Sequence, residues 1–511
     1  MTQGLADTHT NELPGTRAAA ARRILIEAVL LGIVADGAMR NAPDGLGWTV
    51  WVIALSFAAL NVAQRHGRAV TREQLAWLAT AIACAAAFSW RDAEELRVFN
   101  VFGTLVALTM FAMSADGRPA PSILAARLRD VMAAGVYTLR DIVAGAPMLV
   151  ARDAELDTLP VVERGATWTA LRALLVTAPV VLVFAMLLSQ ADPVFASFFA
   201  LPNAEVLVSH VVITGAFAWW SAGWIRGALL GVARRPVVPD LPMRLGQAEI
   251  TTSLGAVIAL FALFVTLQLR WLFGGAEVVL ATTGLTVAEY ARRGFFELVA
   301  VVLLVIPLIL STRALIEDDK VVRRHRLLSF ALIVLLVPII ASAMLRMQLY
   351  VQHFGLTTDR LYATAIMIWL AIVLLAMTRT VLRGWSRPFA AMTVISGFAT
   401  LFALNVINPD RLVARVNVGR SPAEREVDYA YLARLSGDAM PSVVSSLKVA
   451  SASATSCEAV EILRGRWSSD RPVSWNLGAR AARAAAEALS ATDVRRLCAG
   501  ITIAPMKEAQ Q

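Results

Sequence analysis

Long apolar runs separated by short polar stretches dominate the chain. A membrane-spanning helix needs about 20 mostly apolar residues, because the hydrocarbon core is roughly 30 Å thick and each helical residue rises about 1.5 Å. The clearest runs are 171–188, 206–230, 250–273, 295–310, 327–345, 361–377 and 389–406. Weaker runs in the N-terminal third are 24–39, 46–62, 74–88 and 98–113. The pattern predicts an all-α, polytopic helical membrane bundle with about 11 crossings.

The apolar pattern stops near residue 410, and a segment of ordinary polarity follows. We therefore divide the chain into an N-terminal tail (1–23), a transmembrane bundle (24–410) and a small, all-helical C-terminal domain (411–511). Within this domain, the Ala-rich segment 476–489 predicts a helix.

The longest polar connection inside the bundle carries a helical pattern at 121–150. Leu124, Leu128, Leu139 and Ile142 recur at helical spacing, with charged residues between them. This is typical of an amphipathic helix on the cytoplasmic membrane surface, with its arginines near anionic headgroups. A helix packed beneath the bundle has the same pattern, and both interpretations stay open.

The charge distribution adds an orientation. The 511 residues are 58% hydrophobic and 17% charged, and the net charge is +9. Arginines concentrate in alternate connections, whereas segment 190–205 has no Lys or Arg. The positive-inside rule then predicts an inner-membrane protein with a cytoplasmic N-terminus and an extracytoplasmic C-terminal domain, with Arg292 and Arg293 as a departure. Because the bilayer accounts for the basic residues, we expect no nucleic-acid partner.

Two of the three cysteines lie in the C-terminal domain. Cys84 falls in an apolar run, whereas Cys457 and Cys498 both follow residue 410. Outside the cytoplasm such a pair can form a structural disulfide. Two separate buried thiols are the alternative.

Ionisable and polar side chains near the outer ends of the predicted helices are the candidate functional residues. A charge inside a bilayer is costly, so each one calls for a partner or a function. Glu289, Arg293 and Glu297 are spaced four apart and share one helical face. Interhelical ion pairs and headgroup contacts are the structural alternative to a polar binding pocket. The full candidate cluster is Asp192, Arg270, Glu289, Tyr290, Arg292, Arg293, Glu297, Arg346, Tyr350, Asp359, Arg360, Tyr362, Asn408 and Asp410.

Several short strings together carry a family resemblance. They are ADPVF at 191–195, GLTVAEYARRGFFEL at 284–298, RLY at 360–362, NPD at 408–410 and DYAYL at 428–432. With these strings the chain resembles the bacterial polytopic membrane proteins grouped as domains of unknown function four-one-five-three and four-one-seven-three. The resemblance covers 191–442 well and the N-terminal third poorly. It implies a multi-pass bacterial membrane protein, and it supplies neither an activity nor catalytic residues.

No motif assigns a chemistry to the chain. A phosphate-binding loop, an HExxH pair and a paired CxxC are all missing from the sequence, and the five histidines are scattered. We therefore expect no metal site and no cofactor, and we favour a non-catalytic sensor, assembly or interaction module with a protein partner at the C-terminal domain. The alternatives are a transporter of a small or charged solute, and a transferase acting on a lipid-linked substrate with Asp36 and Asp44 as acids. The sequence leaves the oligomeric state open.

Overall fold

The computed structural model describes residues 14–42, 45–114, 122–155, 204–231, 245–283, 295–382, 388–420, 427–467, 475–499 and 501, with isolated positions between 177 and 195. These residues are mostly helical, and no strand occurs among them. The chain forms two compact units, each described by itself. Unit 1 contains Met1–Ser89, Thr104–Ser122 and Arg129–Arg235, and unit 2 contains Trp90–Gly103, Ile123–Leu128 and Pro236–Gln511.

The helices follow one another along the chain in three groups. The first group is α1 (Pro14–Asn41), α2 (Leu46–Arg65), α3 (Arg72–Trp90), α4 (Glu94–Met113), α5 (Leu128–Met148) with a π-helical turn (Leu149–Asp153), and α6 (Ala204–Leu230). The second group is α7 (Gln247–Thr283), α8 (Phe295–Ala314), α9 (Asp319–Phe354), α10 (Thr358–Leu382) and α11 (Pro388–Ile407). The third group is α12 (Pro409–Val418), α13 (Tyr429–Arg434), α14 (Met440–Leu447), α15 (Ala454–Arg466), α16 (Leu477–Glu487) and α17 (Ala491–Leu497).

Eight helices in the described part of the chain are long and apolar enough to cross a bilayer, namely α2, α4 and α6 to α11. They contain eight of the predicted runs, so the prediction of an all-α polytopic bundle is confirmed. The runs 24–39 and 74–88 lie in α1 and α3, which are helical but not apolar enough to join that set. The run 171–188 lies almost wholly outside the described residues. The total of eleven crossings stays a prediction.

In unit 1, α1 packs against both α2 and α6. Gly32 allows α1 to approach α6, because a Cβ atom there would lie 2.4 Å from the carbonyl oxygen of Thr214. Trp51 of α2 is fully buried, and its ring centroid lies 5.0 Å from those of Phe217 and Trp220 in α6. Close backbone approach and aromatic packing are the contacts that hold membrane helices together.

Helix α5 has two different faces. One face packs on α6, where a Cβ atom at Gly223 would lie 2.4 Å from the carbonyl oxygen of Asp141, and one at Gly145 would lie 2.7 Å from the Cα of Gly223. The other face leaves Met132 and Val136 largely exposed. The amphipathic pattern at 121–150 therefore separates a packed face of small residues from an exposed apolar face.

The apolar core of unit 2 is built around α9, which packs against α7, α8 and α10. Its buried side chains include Leu332 and Leu336 of α9, Ile309 of α8 and Met377 of α10. Helix α9 has 36 residues and is therefore about 54 Å long, against roughly 30 Å for the hydrocarbon core of a bilayer. A helix of this length extends beyond the apolar layer.

The C-terminal helices have an apolar core of their own, formed by residues such as Val413, Leu432, Val443 and Leu463. The helix predicted at 476–489 is α16, and Asn476 caps it by accepting the amide of Ala479 on Oδ1 at 3.1 Å. In the structure a disulfide joins Cys457 of α15 to Cys498, the residue that follows α17.

A side chain of α12 holds the chain that leaves α9. Asn417 accepts the amide of Leu356 on Oδ1 at 2.9 Å and donates from Nδ2 to the carbonyl oxygen of the same residue at 2.7 Å. Arg420 also donates to the carbonyl oxygen of Gln352. Gly355 between them adopts φ +84°, a backbone conformation that favours glycine. The end of α9 is thus bonded directly to the C-terminal helices.

Candidate functional site

A pair of asparagines joins α4 to α11 in unit 2. The Nδ2 of Asn100 donates to Oδ1 of Asn405 at 3.0 Å, and the Nδ2 of Asn405 donates back at the same distance. Asn405 also donates to the carbonyl oxygen of Leu401 at 2.9 Å. Both amides are buried. Between apolar helices this exchange satisfies groups that lipid would leave unpaired.

Asn408 turns the chain from α11 into α12. Its backbone is left-handed, with φ 59°, and its Oδ1 accepts the amide of Arg411 at 3.2 Å. Asparagine tolerates this conformation better than most residues and is a favoured N-cap, and Pro409 suits the first turn of a helix. The Asn-Pro-Asp string therefore reverses the chain tightly and places Asp410 in a buried position.

Residues 436–438 bind the start of α4 through reciprocal hydrogen bonds. Asp438 Oδ2 accepts the amides of Asp92 and Ala93 at 2.7 and 3.3 Å, and Asp92 Oδ2 accepts the amide of Gly437 at 2.7 Å. The first amides of a helix have no acceptor within it, so a carboxylate there is a favourable cap. A Cβ atom at Gly437 would lie 2.9 Å from Asp92 Oδ2, which explains the glycine.

Arg91 connects the same loop to the end of α11. Its Nε donates to the carbonyl oxygen of Asn405 at 2.7 Å, and its Nη1 lies 3.4 Å from Asp438 Oδ1. The guanidinium stacks 3.9 Å from the centroid of the Trp90 ring. Burial lowers the pKa of Arg91, and the neighbouring carboxylate of Asp438 opposes that shift in part. We call segments 90–95, 405–410 and 436–438 together the polar seam.

Three buried polar atoms at the polar seam have no hydrogen-bond partner in the described part of the chain. They are Oδ1 of Asp410, the hydroxyl of Ser436 and the hydroxyl of Tyr362, whose ring packs against Phe99 at 5.7 Å between centroids. The other oxygen of Asp410 accepts the amide of Ser436 at 2.9 Å. Buried polar atoms are nearly always paired, so these three atoms differ from the bonded groups around them in the polar seam.

Groups of both charges act on Asp410. Burial raises the pKa of Asp410, the hydrogen bond from the Ser436 amide lowers it, and the charge of Asp92 raises it while that of Arg466 lowers it. Asp410 and Glu95 both act electrostatically on the hydroxyl of Tyr362. The pKa of Asp438 is also raised by burial, against the opposing effects of the Asp92 amide and Arg91. The polar seam thus contains two buried carboxyl groups that bind protons more readily than exposed aspartates do.

The sequence profile of a family described as Domain of unknown function (DUF4153) matches residues 78–446, which is more than half of the 511-residue chain. The chain belongs to this family. The resemblance seen in the sequence is confirmed, and the family's description assigns no activity. Its matched segment contains the whole polar seam and Tyr362, and it stops before Cys457 and Cys498. No curated protein and no solved structure matches the chain.

Three members of the predicted cluster, Tyr362, Asn408 and Asp410, lie at or beside the polar seam. Two others pair with each other nearby in the sequence: the guanidinium of Arg360 lies 3.9 Å from the centroid of the Tyr350 ring and donates to the carbonyl oxygen of Gly355. This cation–π contact closes the turn between α9 and α10.

The remaining predicted residues lie outside the three segments of the polar seam, although the charge of Asp359 acts on Glu95. Arg346 is buried in α9, whereas Glu297 and Asp359 are exposed in the first turns of α8 and α10. Asp192 belongs to unit 1, where its Oδ1 accepts the amide of Phe195 at 3.4 Å. Four residues, and the side chain of a fifth, lie outside the described part: Glu289, Tyr290, Arg292, Arg293 and Arg270.

No sequence pattern indicated Arg91, Asp92, Glu95, Ser436 or Asp438. The contacts of Arg91 and Asp92 with residues 437–438 join positions about 345 residues apart, and no single-sequence pattern encodes such a pairing. One signal was available, since five charged residues occur within 91–97, next to an apolar run. A cluster of charged residues in a short connection next to an apolar run can indicate that another segment of the chain binds there.

Unit 1 contains a different polar group on α1 and α6. Asp36 is buried, its Oδ1 accepts Nε of Arg40 at 2.7 Å, and its Oδ2 is bonded to Nδ1 of His210. Arg40 also donates to the hydroxyl of Ser209 at 2.5 Å. Asp44, the second acid of the transferase hypothesis, lies outside the described residues. The bond between the carboxylate of Asp36 and the imidazole of His210 joins α1 to α6.

A second buried carboxylate of unit 1, Asp153, is paired with two arginines. Its Oδ1 accepts Nε and Nη2 of Arg17 at 3.1 and 2.9 Å, and its Oδ2 accepts Nε of Arg226 at 2.5 Å. Arg17 donates further to the carbonyl oxygen of Leu230 at 3.1 Å. The group ties the π-helical turn to α1 and α6. Elsewhere in the described residues, no three His, Cys, Asp or Glu side chains converge as metal ligands.

Proposed function

We propose that the chain is a non-catalytic sensor and interaction module of the bacterial inner membrane, in which the C-terminal helices respond to the polar seam. The contact set of residues 436–438 carries this proposal, because it reaches α4 directly and α11 through Arg91. A change in how α4 meets α11 alters those bonds. Since 436–438 lead directly into α14, the change passes into the C-terminal core.

The unpaired atoms around Asp410 make the polar seam responsive. A buried donor or acceptor without a partner costs about 1–3 kcal/mol, so a proton, a water molecule or a small polar ligand that supplies the missing bonds stabilises the assembled seam. Protonation of Asp410 removes a buried charge and adds a hydrogen-bond donor to a carboxyl group whose Oδ1 has no partner among the described residues. The polar seam therefore has two energetically different states.

The predicted topology favours an extracytoplasmic location for the C-terminal helices. Segment 90–95 follows the third predicted run and the C-terminal helices follow the eleventh, so both fall on the same side of the membrane if the crossings alternate, and hydrogen bonds join them directly. With a cytoplasmic N-terminus, these helices face the extracytoplasmic side, where a protein partner can reach them. The disulfide between Cys457 and Cys498 suits that compartment.

Hydrogen exchange of the full-length protein in lipid nanodiscs tests the proposal. Amide protection factors at 435–447, corrected for the chemical effect of pH, are compared at pH 5 and pH 7.5. We expect protection to fall at pH 7.5, and Asp410→Asn to remove that difference. The matched control is Asp428→Asn, an exposed N-cap of α13 in the same domain. A difference that persists in Asp410→Asn, or that never reaches α14, overturns the proposal.

A second candidate function, transport of a small or charged solute, is favoured by the Asp36–His210 pair. An acid and an imidazole on two packed helices are the parts of a proton relay. Proton flux into proteoliposomes, followed with an internal pH dye, tests it with His210→Gln. His353→Gln is the control, because that histidine is exposed and bonds only locally to Leu349. Equal flux in both variants removes this candidate.

A further inference from the structure

An open groove of about 530 Å³ lies between α12 and α14. Arg411 and Arg415 line it from α12, and Ser442, Ser445 and Ser446 line it from α14. Its size lies within the range of small-molecule sites, roughly 300–1,000 Å³. Val413 of α12 belongs to the apolar core, whereas Ala414 and Val418 belong to that core or pack against it and also line the groove.

The two arginines are positioned to bind one anion together. They are four residues apart, so they share a face of α12, and both are exposed. Neither side chain has a hydrogen bond or an ion pair with any described residue. By contrast, Arg434 and Arg496 on neighbouring helices are paired with Glu458 and Asp493. Arg411 and Arg415 thus carry positive charge that the described structure leaves uncompensated.

The opposite wall supplies hydroxyl donors and no carboxylate. The hydroxyl of Ser445 donates to the carbonyl oxygen of Ser442 at 2.8 Å, and that of Ser446 pairs with the Tyr429 hydroxyl at 2.8 Å. The hydroxyl of Ser442 makes no hydrogen bond within the described residues. Guanidinium groups facing hydroxyls select an anion with several oxygens, and the fork of Arg fits phosphate especially well.

The position of the groove in the chain indicates where the phosphate comes from. Helix α12 begins two residues after α11, a candidate membrane span that ends at Ile407. Arg411 and Arg415 therefore lie within roughly two helical turns of the membrane end, a distance of about 10 Å that matches the headgroup layer. Val449 lines the groove and is 85% exposed, which gives an acyl chain an apolar surface.

We propose that the α12–α14 groove binds the phosphate of an anionic phospholipid headgroup. This inference is independent of the sensor role proposed above, because it needs neither the polar seam nor a change of state. It gives the C-terminal helices a second attachment to the membrane, in addition to the chain connection at residue 408.

Binding of defined probes to the full-length protein in a neutral detergent tests the proposal. The probes are short-chain phosphatidylglycerol, short-chain phosphatidylcholine and inorganic phosphate, each titrated at about 0.15 M salt and followed by calorimetry. We expect phosphatidylglycerol to bind, and the double variant Arg411→Gln, Arg415→Gln to weaken it about tenfold or more. The matched control is Arg464→Gln with Arg480→Gln, which removes the same charge from exposed positions of α15 and α16.

The outcomes separate the sources of the ligand. Tight binding of phosphatidylglycerol, with weak binding of phosphate and phosphatidylcholine, supports the lipid site when only the groove variant reduces it. Phosphate that binds as tightly as phosphatidylglycerol overturns the lipid assignment in favour of a soluble phosphate compound. Equal losses in both double variants show a diffuse charge effect, and that result, like binding of no probe at all, overturns the site itself.

Discussion

Two buried aspartates, Asp153 of unit 1 and Asp410 of unit 2, are surrounded in opposite ways. Asp153 is 7% exposed and has arginines on both oxygens, Arg17 on one and Arg226 on the other. Asp410 is 3% exposed, yet it receives one backbone amide on Oδ2 and nothing from the described residues on Oδ1. The two carboxylates are buried to a similar extent, but only Asp153 is bonded to cations.

The difference separates a structural carboxylate from a responsive one. Removing a carboxylate from water costs several kcal/mol, and paired cations with good geometry recover that cost. Asp153 is compensated in this way and holds three segments together. Asp410 lacks a bonded cation, so its neutral form is favoured and its state depends on the solution. The same residue type therefore holds segments together in unit 1, whereas in unit 2 its protonation changes with pH.

Removing the compensated carboxylate should have the largest effect. Asp153→Ala leaves Arg17 and Arg226 without their shared partner, and breaking a buried pair from one side costs about 3–5 kcal/mol. Thermal unfolding in detergent should show this as a clear fall in the midpoint. If the variant lies within about 1 kcal/mol of the wild type, the arginines find other acceptors. Asp153 would then not be a structural carboxylate.

The close approach at the polar seam should have the next largest effect. Gly437→Ala places a Cβ atom 2.9 Å from both Asp92 Oδ2 and the carbonyl oxygen of Gly478, and overpacking of this kind costs about 1–3 kcal/mol. The control is Gly465→Ala, since a Cβ atom there meets nothing within 4 Å. In that helical position alanine should stabilise by about 0.5–1 kcal/mol. Both effects are measured as the rate of limited proteolysis within the segment after residue 410. Equal resistance to proteolysis in the two variants would contradict the tight contact at Gly437.

The uncompensated carboxylate should respond in the other direction. Folding raises the pKa of Asp410 above its usual value of 3.8, so protonation favours the folded protein. This contribution is complete below the pKa of the unfolded chain and is lost as the pH rises through the pKa of the folded protein. At pH 7, Asp410→Asn should therefore raise the free energy of unfolding by about 1 kcal/mol, which thermal unfolding in detergent would show as a higher midpoint than that of the wild type. The gap should close toward pH 4, and a constant gap across that range would show that the charge is not the cause.

An exposed ion pair should give the smallest effect and set the baseline. Arg434 Nη2 lies 2.7 Å from Glu458 Oε1, with the arginine side chain 64% exposed. Arg434→Gln should change the free energy of unfolding by no more than about 0.5 kcal/mol, because solvent screens such pairs. Chemical denaturation in detergent is sensitive enough to measure this. A larger loss would show that burial is not what distinguishes Asp153.

Much of the fold follows from the sequence, because apolar runs long enough to cross a bilayer are a strong signal. The eight candidate helices contain eight predicted runs, and the Ala-rich segment is α16. The predicted start of the first helix at residue 24 was too late, since α1 begins at Pro14. Polar residues such as Arg17 and Arg22 obscured that start, since Arg17 is partly buried and bonded to Asp153 by a tertiary contact that periodicity does not show.

Less of the candidate site could be predicted. Asn408, Asp410 and Tyr362 stood out because polar residues near apolar runs are costly. Their partners Ser436 and Asp438 did not, because they sit in an ordinary polar domain where such residues are common. The choice between a bonded and an unbonded carboxylate depends on atoms from segments far apart in the chain.

Helix α9 connects distant parts of unit 2. Its 36 residues run as one rod from Asp319 to Phe354, and Asn417 fastens the far end to α12. Pro338 in the middle removes one main-chain donor, yet the helix continues through it. The Asp319 end of α9 and the C-terminal helices are therefore joined by one helix about 54 Å long and by the side chain of Asn417.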